Sequence, residues 1–252
     1  MIDLHSHLLP GIDDGAPDLA TALALAKIAV DDGITHMVCT PHIHPGRYDN
    51  TSETIAQALQ ELQQGLIEQH INLVINAAAE VRFGMELMVA VKQNSIPFLG
   101  EWHGQPVLLL EFPHGEMPFG AERLTAWLIE QGIKPLIAHP ERNKGLLRSP
   151  AKLKPFIEQG CLLQVTAGAV AGRFGAAAQT LSHQLLKENV VTILASDAHN
   201  IDHRPPILSQ GRDAAAALFE ELAHAGDVEG DDRRATREAL AHAARQTLVL
   251  AR

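Results

Sequence analysis

The sequence predicts an α/β protein organised as a β/α barrel, and three observations predict it. Short β-rich apolar runs alternate with amphipathic stretches from one end to the other, the pattern of a parallel sheet wrapped by helices. Seven of these runs read as strands. Polar residues able to bind metal follow nearly every run, where a barrel would gather them on one face.

The strands fall at residues 2–4, 34–39, 73–78, 107–110, 134–138, 162–166 and 190–195. Between them the helices carry their own punctuation. Asp18 opens a helix that Gly33 ends, and Asn50 to Glu53 has the spacing of a capping box. Ser149-Pro150 starts another helix that stops at Gly160, and Pro205-Pro206 precedes one running to about Ala223. An acidic loop at 226–232 then leads to a final helix at about 235–247. A (β/α) barrel needs about 250 residues. With 252 residues, no fixed-period repeat and no linker, residues 1–252 read as one domain.

Hydrophobic residues make up 46% of the chain but aromatics only 4%, so the core is expected to be built from Leu, Ile, Val and Ala. A formal net charge of −10 argues against a nucleic-acid partner, which calls for clustered Lys and Arg. An anionic substrate then needs local positive compensation. No leader-like segment and no apolar run of membrane-spanning length is evident, which reads as a cytoplasmic protein without membrane insertion. Cys39 and Cys161 lie in apolar runs and read as buried thiols. Neither begins a Cys-x5-Arg loop, since the sixth residue onward is Pro45 or Ala167, so a thiolate phosphatase is excluded.

The chemistry-bearing residues are His5 and His7, His42, Glu80, Glu111, His139, Asp197 and His199, with Asp14 in the turn Gly11-Ile-Asp-Asp-Gly15. His5-Ser6-His7 and Asp197-Ala198-His199 alternate as strand ends do, which points both members of each pair the same way. A lone histidine more often satisfies an ordinary hydrogen bond than holds an ion. Buried Glu80 and Glu111, however, would be costly without a counter-charge, and metal supplies one. Five imidazoles and four carboxylates exceed what one ion requires, so two or three divalent ions are expected.

These residues resemble the polymerase-and-histidinol-phosphatase (PHP) superfamily over residues 3–199. The subgroup most similar is the manganese-dependent protein-tyrosine phosphatases of bacterial capsule and exopolysaccharide operons. The likeness is carried by Asp3-Leu-His-Ser-His-Leu-Leu-Pro-Gly-Ile-Asp-Asp-Gly15, Thr40-Pro-His42, His139-Pro-Glu-Arg142 and Ser196-Asp-Ala-His199. The resemblance implies a distorted (β/α)7 TIM-like barrel of the PHP type holding three metals. Of these, His5, His7, Glu80 and Asp197 would hold the first, Glu80, Glu111 and His139 the second, and Asp14, His42 and His199 the third. Manganese is the metal implied, although mixed His/carboxylate ligation also suits iron, zinc or magnesium. The substrate implied is a phosphotyrosine protein, the tail of a bacterial tyrosine kinase.

Attack by a metal-bridging hydroxide would need no protein nucleophile. Arg142 and Arg204 are the candidates to bind the phosphoryl oxygens, and His44 and His203 read as solvent-facing loop residues. Tyr48, Phe83, Phe112 and Phe119 follow strand-end motifs, with lining of the mouth and ordinary packing equally open. Two other readings stand beside this one. One is a superfamily phosphatase of a small phosphomonoester such as histidinol phosphate, and the other is a noncatalytic metal-stabilised binding module.

Overall fold

The computed structural model describes residues 1–224. The expected acidic loop at 226–232 and final helix at 235–247 lie outside the described residues.

The chain begins with β1 (Ile2–Ser6), α1 (Leu19–Asp31), β2 (His36–Cys39), β3 (His42–Ile43) and α2 (Ser52–Glu68). It continues through β4 (Val74–Ala77), β5 (Glu80–Arg82), α3 (Glu86–Lys92), β6 (Glu101–Trp102), β7 (Gln105–Glu111) and α4 (Ala121–Glu130). Next come β8 (Lys134–Ala138), α5 (Lys144–Arg148), α6 (Lys154–Glu158), β9 (Leu162–Thr166) and α7 (Ala167–Val170). α8 (Ala176–Lys187), β10 (Ile193–Ala195) and α9 (Ser209–His224) complete the described chain.

The result is a mixed α/β protein with parallel sheets. One sheet has the order β1-β2-β4, and the other runs β10-β9-β8-β7-β5-β3. Among the described strands, only the short β6, which folds back on β7, is antiparallel. Each expected strand run has a counterpart, and two of them continue as separate short strands. The run in β2 breaks at Thr40-Pro41 and resumes as β3, because proline has no N–H to give the ladder. The run in β4 breaks at Ala78-Ala79 and resumes as β5. Both continuations thereby leave the first sheet and join the second. At the other edges, the ends of β1 and β10 meet through a parallel bridge between Ser6 and Ala198. Backbone bonds from His7 N to Ala198 O (2.8 Å) and Asp197 N to His5 O (2.9 Å) join the same two edges.

Alternation along the strands sorts side chains between two apolar clusters. Val107, Leu109, Leu136, Ala138, Leu4 and Val38 belong to the smaller one. Leu108, Leu110 and Ile137 face the larger cluster, which includes buried residues of the helices such as Leu25, Leu62 and Leu128. Since successive side chains on one face are two residues apart, Ala78 leads to Glu80 and Val107-x-Leu109 leads to Glu111. The inner apolar face of these strands therefore ends in carboxylates.

Helix starts follow the sequence closely, with one correction. Asp18 caps α1 through Thr21 N at 2.8 Å. The capping box of α2 is Thr51 with Thr54 rather than Asn50 with Glu53. Asn50 is diverted, because its amide donates to the carbonyls of Ile12 and His42, both at 2.9 Å, and so ties the first turn to the start of β3. The segment after Ser149-Pro150 is a 3-10 turn (Pro150–Leu153) followed by α6, with Gly160 beyond it at φ 84°.

Candidate metal centre

His5 and His7 lie on and just past β1, His42 opens β3, Glu80 opens β5 and Glu111 closes β7. His139 follows β8, and Asp197 and His199 follow β10. His139 and Asp197 both adopt left-handed backbone, at φ 33° and 52°, an uncommon conformation for non-glycine residues that turns the chain sharply off each strand. All eight residues are buried, while Asp14, at the rim, keeps 40% of its side chain exposed. The sequence thus places nine candidate ligands, and the fold brings all of them to one place.

Glu80 is the hub. Its Oε2 lies 3.3 Å from the Nε2 of His5, 3.3 Å from the Nε2 of His7 and 3.1 Å from Nδ1 of His42, while Oε1 meets His139 Nε2 at 2.8 Å. Burial opposes the charge on this carboxylate, yet His5 and the hydrogen bonds from His139, His5 and His7 hold it well below the usual carboxylate range. Asp197 Oδ1 stands 3.3 Å from His5 Nε2 and 3.4 Å from His7 Nε2. On the outer side, His42 and His199 reach Asp14 Oδ1 at 3.3 and 3.5 Å. Burial and the adjacent His7 push the His199 imidazole down to about 4, leaving it neutral at physiological pH.

The donor atoms fall into four overlapping groups, each with its atoms within 4.8 Å of one another. The groups are His7/Asp14/His42/His199, His5/His7/Glu80, His5/His139/Asp197 and His42/Glu80/Glu111. Of the second metal set implied by the resemblance, Glu80 meets His139 directly and shares a donor group with Glu111. Glu80 and Glu111 gather with His42, whereas His139 gathers with His5 and Asp197.

Two observations test whether ions fit. Buried Asp197 Oδ1 and His42 Nδ1 have polar neighbours at 3.3 and 3.1 Å but form no hydrogen bond of proper geometry with them, a costly state that a cation would relieve. The Nε2 atoms of His5 and His7 also approach each other to 3.2 Å, aimed at shared carboxylates, as ligands converging on one ion do. The donor set fits divalent metal.

The groups behind the imidazoles were not singled out by sequence. Asp13 Oδ2 pairs with His7 Nδ1 at 2.7 Å, and the same carboxylate accepts from Gly15 N and His42 N. Gln164 Oε1 pairs with His5 Nδ1 at 2.9 Å. Each acceptor favours the proton on Nδ1 and frees the inward Nε2 lone pair. A polar glutamine inside the apolar run Leu162-Leu-Gln-Val165 was the available signal. Gly15 permits the close turn, because a Cβ there would lie 1.9 Å from His7 O. Asp13→Asn is expected to lower metal affinity about 10- to 100-fold while leaving the circular dichroism spectrum unchanged. Titration against a chromophoric chelator measures this, and unchanged affinity would remove Asp13 from the site.

Above the carboxylates opens a pocket of about 380 Å³, lined by the candidate ligands other than His5 and His7 and by Arg47, Arg82, Arg142 and Arg204. Arg142 and Arg204 both donate to Asp197 Oδ2. Burial opposes charge on Asp197, and Arg204, His5 and Arg142 hold its carboxyl well below the usual range. Arg82, which the sequence reading passed over, pairs with Glu111 at 2.9 Å. Of the four aromatics singled out, only Tyr48 lines this pocket. Phe83 and Phe112 pack edge to face at 6.0 Å, and exposed Phe119 borders a different cavity. His44 lines the pocket as well and His203 is exposed. Burial pushes the thiols of Cys39 and Cys161 up to about 12 and 11, so neither is a nucleophile.

A family model described as "Capsular polysaccharide synthesis, CpsB/CapC" matches residues 1–224. The tyrosine-protein phosphatase YwqE of Bacillus subtilis is 36% identical over 204 residues, covering 81% of this chain and 79% of that protein. The putative tyrosine-protein phosphatase CapC of Staphylococcus aureus is 34% identical over 224 residues, covering 88% and 87%. A crystal structure from work on YwqE of Bacillus subtilis and CpsB of Streptococcus pneumoniae, described as unique metal-dependent tyrosine phosphatases, superposes with a TM-score of 0.78. It is 34% identical and covers 88% of this chain and 87% of its own.

Proposed function

The chain belongs to the CpsB/CapC family of capsular polysaccharide synthesis and is a protein-tyrosine phosphatase, and we propose that it hydrolyses phosphotyrosine through two or three divalent ions held by its nine candidate ligands. The observation that carries this reading is the convergence of four donor groups on Glu80, His5, His7 and His42 at the base of an arginine-lined pocket. Manganese is the proposed metal. The proposed fold is a distorted (β/α)7 barrel forming one domain over residues 1–252. The bonds joining β1 to β10, and the continuity of β2 with β3 and of β4 with β5, support it.

Divalent ions bound there supply Lewis-acid charge and a water activated near neutral pH. His5, His7, Glu80 and Asp197 are proposed to hold one ion, and His7, Asp14, His42 and His199 are positioned for another. Glu111 and His139, each beside Glu80's neighbourhood, complete the set. Arg142 and Arg204 are proposed to bind the equatorial phosphoryl oxygens, exchanging Asp197 Oδ2 for the incoming dianion with guanidinium geometry suited to phosphate. The tyrosyl leaving group has a parent pKa of about 10, so it needs less protonation than an alkoxide would. No side chain is assigned as general acid.

The protein substrate proposed is the phosphorylated tail of a bacterial tyrosine kinase in the cytoplasm, which the capsule-synthesis family membership supports. No helix among the described residues is long and apolar enough to cross a membrane. Phosphate release from a phosphotyrosine peptide and from histidinol phosphate, compared side by side, tests the reading. Manganese-loaded protein is expected to prefer the peptide and to lose turnover with chelator. Preference for histidinol phosphate would assign the small-phosphomonoester activity instead, and tight metal without turnover would leave only a binding module.

A further inference from the structure

The four guanidiniums of the pocket are not equivalent. Arg142 and Arg204 close on Asp197, and Arg82 closes on Glu111. Arg47 is exposed and forms no ion pair among the described residues. Its position is nonetheless fixed by the turn that carries it. His44 N donates to Tyr48 O at 3.0 Å, while Arg47 N and Tyr48 N donate to His44 O at 2.9 and 2.8 Å. Gly46 takes φ 78° at the tip, and its N–H is held by Asp49 at 2.7 Å. The guanidinium carbon sits 5.0 Å from the centre of the Tyr48 ring, within cation–π range. Tyr48 in turn stacks on the candidate ligand His42 at 5.5 Å and 11°. A single run of contacts therefore leads from the metal centre through an aromatic ring to an uncompensated cation at the rim.

We propose that Arg47 forms an anion subsite that selects phosphotyrosine substrates carrying a second anionic group, a carboxylate or another phosphate, beside the scissile phosphate. This rests on the phosphatase reading above and specifies its substrate class. The two guanidiniums on Asp197 are set deep in the site for the reacting phosphate. Arg47 lies outside that carboxylate network, on a turn braced from both ends, and its fork fits either oxyanion. In a chain of net charge −10, a cation with no carboxylate partner at the mouth is where an acidic peptide flank finds attraction rather than repulsion.

The test compares kcat/KM of the metal-loaded full chain for three phosphotyrosine peptides with neutral flanks, glutamate flanks or a second phosphotyrosine. An exposed pair of this kind is expected to favour an anionic flank by about two- to fivefold, expressed in KM more than in kcat and shrinking as salt is raised. In Arg47→Ala the ratio of anionic to neutral substrate should fall to about one, and Arg47→Lys should recover part of it. Taking the ratio within each protein cancels any general loss of activity. A preference confined to the glutamate peptide or to the doubly phosphorylated one identifies which anion the subsite takes. An equal ratio in Arg47→Ala and wild type, or no preference in wild type, overturns the proposal. Failure of wild type on all three peptides would instead overturn the phosphatase reading.

Discussion

Glu80→Gln is expected to abolish measurable phosphatase activity while leaving the protein folded. This carboxylate is 1% exposed and faces four imidazoles, so it is the group through which the donor clusters communicate. Losing its charge should weaken metal retention and remove about 4 kcal/mol or more of transition-state stabilisation, which is about 10³-fold in rate. The cost to folding is smaller because imidazoles can release their protons when the counter-charge goes, so no cation is stranded. Three readouts separate the effects, namely kcat/KM on a phosphotyrosine peptide, bound metal by elemental analysis and the melting temperature. Turnover near wild type would remove Glu80 from the site.

Asp197→Asn should also cost about 10³-fold or more in activity, as loss of a proposed ligand, but with a second signature. Its partners on the outer oxygen are Arg142 and Arg204, whose side chains are only 12% and 22% exposed. Guanidiniums cannot discharge by losing a proton. Breaking such a buried network should therefore destabilise the metal-free protein by about 3 kcal/mol, the lower end for a buried pair, because both arginines keep some solvent contact. For a domain of this size that is roughly 6 to 12 °C in Tm. Differential scanning calorimetry of metal-free protein checks it, and an unchanged Tm would mean that the arginines find other partners. The two carboxylates differ in this respect because the bases paired with Glu80 all titrate, whereas Asp197 holds two guanidiniums that do not beside its imidazoles.

Periodicity and punctuation made the strand runs legible, because apolar stretches such as 134–138 and 162–166 coincide with β8 and β9. What escaped were features too short for a period to register. The two- and three-residue strands β3 and β5 exist because the chain steps from one sheet to the other, a tertiary event with no local pattern. Candidate ligands were readable one by one at strand ends, but their grouping was not. His42 reaches Glu80 and Glu111 through Nδ1 and Asp14 through Nε2, which depends on ring orientation. Asp13 and Asp14 are adjacent carboxylates in one turn, and sequence gives no way to tell which one braces His7. That is settled by Gly15 lying against the His7 backbone. Likewise, Phe83 and Phe112 have the composition of a binding mouth and the position of a core.

The meeting of β1 with β10 also bears on how the molecule comes into being. Its proposed metal ligands begin at His5 and end at His199, so almost the whole described chain separates the first from the last. At about 5–20 residues per second, synthesis holds His5, His7, His42 and Glu80 on the growing chain well before Asp197 and His199 exist. For roughly 10 to 40 s the emerging polypeptide carries an incomplete set of candidate ligands, and β10, the last strand among the described residues, both meets the β1 edge and leads into the remaining donors. Capture of the proposed ions would thereby be a late event in biogenesis, tied to the arrival of β10 and the donors that follow it.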